Sequence, residues 1–433
     1  MTTTAVQVFR EVALTHPRMF WLDGGGSREW SGRCSIVGWL EPDDVSLTYD
    51  AARRKVSRHT GTSTEVVGDD VFAVLRDELA RDGSEPSVSW VGYFGYASRA
   101  DLPAQLDDAG RVPDAVWMRT RNLRVFDDEV GVSGFRDTLA SPGPLETGSS
   151  LALLRKSPQP PDRAAYDLGF ERVQEQLHLG NSYEVNLTYR RQVVSQRDPV
   201  EAYLRLRRVN PAPYSGYLQH HGTHLLSSSP ERFATIDRNR WVEARPIKGT
   251  TPRGITPEAD AELAESLSSD PRFSAENLMI VDLMRNDLSM VCEPGTVTVP
   301  GLMQVESYAS VHQLVSTIRG RLRDGVETVQ ALRALFPAGS MTGAPKLRTM
   351  EIIADVETGP RGVYAGAFGW ISGDGRADLG VVIRSLVATT DSAGGAAYRY
   401  ELGTGGGITV RSAAESEYAE TLWKAERVLA ALG

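Results

Sequence analysis

The sequence predicts an α+β fold, with large, mainly antiparallel sheets and helices packed outside them. Three observations carry that expectation. Up to about Arg136 the chain reads mostly as strands and turns, with β-branched and aromatic runs broken by glycine. After residue 163, helix and strand signals alternate to the end. The alternation never settles into the regular strand–helix–strand cadence of a doubly wound parallel sheet, and no fixed-period repeat marks a solenoid.

Taken in order, "DDVFAVLRDELARDG" has an acidic start and a glycine stop, the signature of a helix. In "SVSWVGYFGYASRADLP", Gly92 and Gly95 interrupt a strand-like run and imply close-packed or bulged strands. "DTLASPGPLETGSS" and "KSPQPPDR" are rich in Pro, Gly and Ser, so residues 137–162 read as a linker between an N-terminal region (1–150) and a larger region (163–433). "DRAAYDLGFERVQEQLHLGN" has helical spacing and ends at Gly180-Asn181, a left-handed cap, and "SYEVNLTYRRQVV" alternates as a strand.

Composition narrows the function classes. With 433 residues, 41% hydrophobic and 24% charged, the chain is an ordinary globular protein of two or three average domains, or one large two-lobed unit. No apolar run is long enough to span a membrane, and the N-terminus lacks a basic segment followed by an apolar one. Cys34 and Cys292, each in an apolar setting, exclude a disulfide scaffold and fit a reducing cytoplasm. A net charge of −9 without a basic block argues against a nucleic-acid partner.

Several stretches carry candidate chemistry. Lys248, in "RPIKGTTPRG", is framed by Pro246, Ile247 and a Gly-Thr-Thr-Pro turn, a setting suited to orienting an amine rather than solvating it. In "RFSAENLMIVDLMRNDL", Ser274 is the expected cap of a helix whose apolar residues cover nearly its whole circumference. Glu276 on that helix either favours the positive N-terminus or takes a partner. In "RSAAESEYAETLWKAERVLAAL", Ser412 and Glu415 form a capping-box pattern. Glu417, Glu420 and Lys424 share a stripe there, as an exposed ion pair or as part of a hard-cation site. Gly403, Gly405, Gly406 and Gly407 form either a tight hairpin turn or a backbone approach to an anion. Arg384 falls in an apolar strand-like run, as a structural pair or a carboxylate clamp. His220, His221 and His224 read as surface residues and His312 as a satisfied core histidine, while "FPAGSMTGAPK" places Thr342 and Lys346 around a turn.

In this order "SPERF", "PIKGT", "AENLMIVDLMRNDL", "VHQLVSTI", "GSMTGAPK", "YAGAFGW", "IRSL", "GTGGGI" and "EYAETLWK" resemble the chorismate-utilising enzymes over about residues 163–430. Within that family, anthranilate synthase large subunits carry "PIAGT" and component I of aminodeoxychorismate synthases carries "PIKGT"; this chain has the lysine. The resemblance implies a two-lobed sandwich whose sheets the N-terminal region completes. It implies Lys248 as a nucleophile of lowered pKa and Glu231 as the general acid/base for departure of the C4 hydroxyl. It further implies Mg²⁺ held by Glu276 and Glu420, with Glu417 acting through water. Arg384 and the backbone at Gly405, Gly406 and Gly407 would clamp a carboxylate, and Gly249, Thr250, His312, Thr342, Tyr364 and Lys424 would be further substrate contacts. Ammonia would come from solution or from a separate glutamine amidotransferase subunit in a heterodimer.

Overall fold

The computed structural model describes residues 4–24, 34–83, 88–127, 163–308, 311–390 and 397–433, so the expected linker at 137–162 lies outside the described residues. Two antiparallel sheets face each other. The nine-stranded sheet runs in the order Gly343–Ala344, Glu184–Ser195, Tyr398–Ile408, Leu386–Thr390, Thr223–Ser229, Tyr214–His220, Arg18–Asp23, Cys34–Trp39 and Asn122–Asp127. The twelve-stranded sheet begins at Ile247–Pro252 and passes through Val311–Arg321, Arg232–Ile236, Ala377–Val381, Ala367–Ser372 and Val88–Phe94. Residues 18–127 thus supply strands to both sheets.

Period-two alternation explains the layers. Phe20, Leu218 and Leu225 point into the space between the sheets and meet Val91, Tyr93, Val116 and Phe368 there. Their neighbours Met19, Trp21, Tyr217 and Leu226 point the other way, onto Phe9 and Tyr203 of the Ala5–Thr15 and Pro199–Val209 helices. On the outer face of the twelve-stranded sheet, Trp90 and Phe94 pack with Phe72, whose ring stacks on Phe94 at 4.1 Å between centroids. The glycines of "WVGYFGYA" are close-packed, as expected: a Cβ on Gly92 would lie 2.0 Å from the Val116 carbonyl oxygen.

The helix after "DD" spans Val71–Asp82 with Asp70 as its cap, and the helix before Gly180 spans Arg163–His178. Two caps differ from expectation. The Glu276 helix begins at Pro271 with Asp270 accepting from the Arg272 amide, one turn before Ser274. The final helix, Ala414–Leu429, is capped by Ala413, which has no side-chain acceptor, and the Ser412 hydroxyl accepts from the Thr409 amide. The Pro271–Ser289 helix is one-sided rather than buried all round, since Leu278 is 55% exposed while Ile280, Val281 and Leu283 are buried. His220 and His224 are buried, not on the surface: His220 bonds Ser46 Oγ at 3.0 Å and His224 bonds the Tyr217 hydroxyl at 2.8 Å. Cys34 is exposed rather than in an apolar setting, Cys292 is buried, and neither forms a disulfide. No described helix is long and apolar enough to cross a membrane.

Candidate active site

Two chain crossings between the sheets build the site. Thr223–Ser229 belongs to the nine-stranded sheet and Arg232–Ile236 to the other, so Pro230 and Glu231 lie on the crossing. Ala377–Val381 and Leu386–Thr390 likewise belong to different sheets, which puts Arg384 on a second crossing and not inside a strand. The crossings touch, with the Val381 amide donating to the Glu231 carbonyl at 2.9 Å. Arg384 adopts φ 52°, uncommon for a residue with a side chain, and its guanidinium lies 5.4 Å over the Trp423 ring. Burial pulls its pKa down to about 10.

Lys248 enters from the edge of the twelve-stranded sheet. The Gly-Thr-Thr-Pro segment after it is not a turn: it continues the Ile247–Pro252 strand that carries Lys248. Ile247 pairs with Val315 and Thr250 with Gln313, so Lys248 and Gly249 together oppose Leu314. That extra residue is a bulge, and Gly249 at φ 98° makes it accessible. The amine is buried and ion-paired with Glu184, which the motif reading missed. Burial pulls the ammonium pKa down, but Glu184, Glu276 and Glu231 outweigh it and the net direction is up. The expectation of a lowered lysine pKa is thereby corrected for the free protein.

Glu231 accepts from Ser340 Oγ at 2.5 Å, and burial pushes its pKa up to about 7 against that bond and against Lys248 and Lys424. Burial, reinforced by Glu184, Glu417 and Glu420 and opposed by Lys248, also brings Glu276 to about 7. Glu417 is raised by burial. Glu420 is lowered by Lys424, whose Nζ lies 2.8 Å away.

The glycine tract is neither a hairpin turn nor a loop: it lies within the Tyr398–Ile408 strand and pairs along its length with Glu184–Ser195. Asn186 sends its amide to the Thr342 carbonyl and Thr188 to Glu357, so the Asn186–Gly407 and Thr188–Gly405 pairs are the non-hydrogen-bonded ones. Gly405 and Gly407 therefore turn their backbone groups away from that partner strand, and Lys424 Nζ donates to the Gly405 carbonyl at 3.0 Å. A Cβ on Gly403 would lie 2.1 Å from the Tyr364 ring, and one on Gly407 would lie 2.1 Å from Glu184 Oε1.

Lys248, Glu231, Glu276, Arg384, the glycine tract, Glu417, Glu420 and Lys424 line one cavity, and Glu184 lies behind Lys248 outside that lining. The cavity's basic members are Lys248, Arg272, Arg384 and Lys424, and its acidic members are Glu231, Glu276, Glu417 and Glu420. A family model described as "chorismate binding enzyme" matches residues 20–430. The chain belongs to that family.

As a chorismate-binding enzyme it has relatives of known name. It is 41% identical to an aminodeoxychorismate synthase of Streptomyces pristinaespiralis, over 96% of this chain and 62% of that protein. It is 45% identical to aminodeoxychorismate synthase component 1 of Salmonella typhimurium, over 83% of this chain and 73% of that one. Its fold is similar to the crystal structure of anthranilate synthase component I from Streptococcus pneumoniae, with TM-score 0.73, 25% identity and 93% of each chain covered. The chain spans about three fifths of the length of the Streptomyces relative.

The cavity of this chorismate-binding enzyme includes Lys248, Gly249, Thr250, Glu231, Glu276, Tyr364, Arg384, Gly405, Gly406, Gly407, Glu417, Glu420 and Lys424. His312 and Thr342 are not in its lining. His312 spends its ring nitrogens on Ser307 Oγ (2.8 Å) and Asp260 Oδ1 (2.9 Å), and it is Gln313, one residue on and so on the other face of the strand, that reaches the cavity. The Thr342 side chain bonds the Gly339 carbonyl at 3.2 Å. Lys346 is structural, holding Asp287 at 2.6 Å and the Leu335 and Pro337 carbonyls at 3.0 and 2.9 Å.

Among the described residues, no group of three or more His, Cys, Asp or Glu side chains converges as a metal cage. The donor set nonetheless suits a hard dication. Glu276, Glu417 and Glu420 offer only oxygen and line the same cavity, and the neighbouring carboxylates raise the proton affinity of Glu276 and Glu417, a repulsion that positive charge relieves. Mg²⁺ keeps several waters and needs only one or two carboxylates beside an anionic substrate.

Proposed function

We propose that the chain is a 4-amino-4-deoxychorismate synthase, component I type. It replaces the C4 hydroxyl of chorismate with an amino group, towards p-aminobenzoate. The observation that carries the reading is a buried lysine amine that lines one cavity with Glu231, in a chain of the chorismate-binding family whose relatives are named for this activity.

Neutral Lys248 forms a bond to C2, the two ring double bonds shift, and the C4–oxygen bond breaks. Glu231 gives its proton to the departing hydroxyl, which leaves as water. Ammonia then adds at C4, the double bonds return, and the C2–nitrogen bond breaks to restore the lysine. The new C4 ammonium loses a proton to Glu231, which closes the cycle. Arg384, Lys424 and the outward amides of Gly405 and Gly407 supply the donors for a dicarboxylate. The cavity's four basic side chains offset its four acidic ones, so the dianion is met by local charge rather than by the overall −9. Glu276 and Glu420, with Glu417 acting through water, would hold Mg²⁺, which would supply charge neutralisation for a substrate carboxylate. A glutamine amidotransferase subunit supplies the ammonia.

The test is incubation with chorismate, Mg²⁺ and ammonium salt, with the product identified by mass and by conversion with an aminodeoxychorismate lyase. The expected product is 4-amino-4-deoxychorismate, lost in Lys248→Ala. Anthranilate or isochorismate in its place would sink the reading of Lys248 while leaving the family unchanged.

A further inference from the structure

We infer that Glu184 is a further catalytic residue, the internal base that takes the proton from Lys248 and returns it at the end of each turnover. This rests on the proposed covalent role of Lys248. The geometry is local and complete. Glu184 is 0% exposed, its Oε1 meets Lys248 Nζ, and its Oε2 is buried with no hydrogen-bond partner. A carboxylate with one oxygen on the amine and the other unbonded has room for the proton it receives.

The surroundings preserve that contact. Glu184 begins the Glu184–Ser195 strand, where Ala344 stands opposite it, so its backbone is fixed on the sheet. Gly407 leaves its carboxylate space, since any Cβ there would overlap Oε1. The charged groups acting on the pair are Glu231 and Glu276, which favour the protonated amine, and Glu420, which feels Lys248 in turn.

The free protein therefore holds an ammonium, which is not a nucleophile. Proton transfer within the pair turns two buried ions into two neutral groups. Exclusion of water by the substrate favours that state, because a dry site penalises both charges. One nitrogen–hydrogen bond breaks and one oxygen–hydrogen bond forms. When ammonia displaces the lysine from C2, the departing electron pair leaves a neutral amine, and Glu184 gives its proton back. The exchange is internal, so it needs no hydroxide from solution.

Glu184→Gln keeps the shape and removes the base. Lys248 must then lose its proton to solvent, so the rate of product formation should gain a limb rising about tenfold per pH unit below the lysine pKa. At pH 6.5 the loss should be about tenfold or more relative to wild type, shrinking as pH rises. Glu184→Asp retains a carboxylate and should lack the new limb, and it serves as the second variant should Glu184→Gln fold poorly by near-ultraviolet circular dichroism. A Glu184→Gln profile that superimposes on wild type would overturn the proposal.

Trace acetylation of Lys248 across pH, read by mass spectrometry without substrate, tests the pair independently of the product. Removal of the carboxylate should move the acetylation midpoint to lower pH, and an unmoved midpoint would also overturn the inference. Wild-type protein that makes no 4-amino-4-deoxychorismate removes the reaction in which Glu184 acts, while a shifted midpoint in that case shows that the pair itself stands.

Discussion

Glu231 is held near pH 7 chiefly by burial, opposed by a hydrogen bond from Ser340 and the fields of Lys248 and Lys424. Burial disfavours the charged form, so the carboxyl is protonated below about 7 and ionised above it. A general acid must hold its proton when the hydroxyl leaves. The kcat/KM for chorismate, which reports groups of the free protein, should therefore fall about tenfold per pH unit above that point. Glu231→Gln should lose about 10²–10⁴-fold and abolish the limb, since an amide has no carboxyl proton to give. Ser340→Ala offers a sharper check. The serine stabilises the carboxylate, so its removal should move the limb to higher pH, and a limb that stays or moves down would reassign the titrating group.

At the scale of elements, a strand's alternation decides what reaches the cavity. Val311–Arg321 places His312 away from it and Gln313 into it. His312→Ala should therefore lower the thermal midpoint by stripping partners from Ser307 and Asp260, with little change in the Michaelis constant for chorismate. Gln313→Ala should raise that constant several-fold at nearly unchanged stability. Steady-state kinetics paired with thermal denaturation separates the two, and a reversed pattern would return His312 to the site.

The same elements show what the sequence disclosed. Helices such as Arg163–His178 were legible because 3.6-residue periodicity and a glycine stop are local signals. Glu184 carried a signal that went unused: Glu184, Asn186 and Thr188 form one polar face of a strand whose other face, Val185, Leu187 and Tyr189, is core. Arg384 could not be placed, because the apolar residues flanking it continue across a buried crossing between sheets and look like an unbroken strand. The Lys248 bulge depends on pairing with a strand more than sixty residues away, and no local pattern encodes that register.

At the scale of the molecule, the site depends on both sheets at once, and residues 18–127 are built into each. Arg18–Asp23 lies between Tyr214–His220 and Cys34–Trp39, and Val88–Phe94 lies between Ala367–Ser372 and Ala115–Arg119. The layer between the sheets takes Phe20, Val91, Tyr93 and Val116 from this region and Leu218, Leu225 and Phe368 from the later one. Each large apolar side chain contributes about 1.5–3 kcal/mol on burial, so the later region alone would lose a substantial part of its core. It would also expose the edges of Tyr214–His220 and Ala367–Ser372, whose unpaired backbone invites aggregation. The full chain should therefore unfold in a single calorimetric transition, and a fragment of residues 163–433 should be insoluble or lack near-ultraviolet circular dichroism. Two resolved transitions, or a soluble fragment that binds chorismate, would instead establish the region after 163 as a unit that folds by itself. In that case the strands from 18–127 would be an addition to the site's scaffold rather than a condition for it.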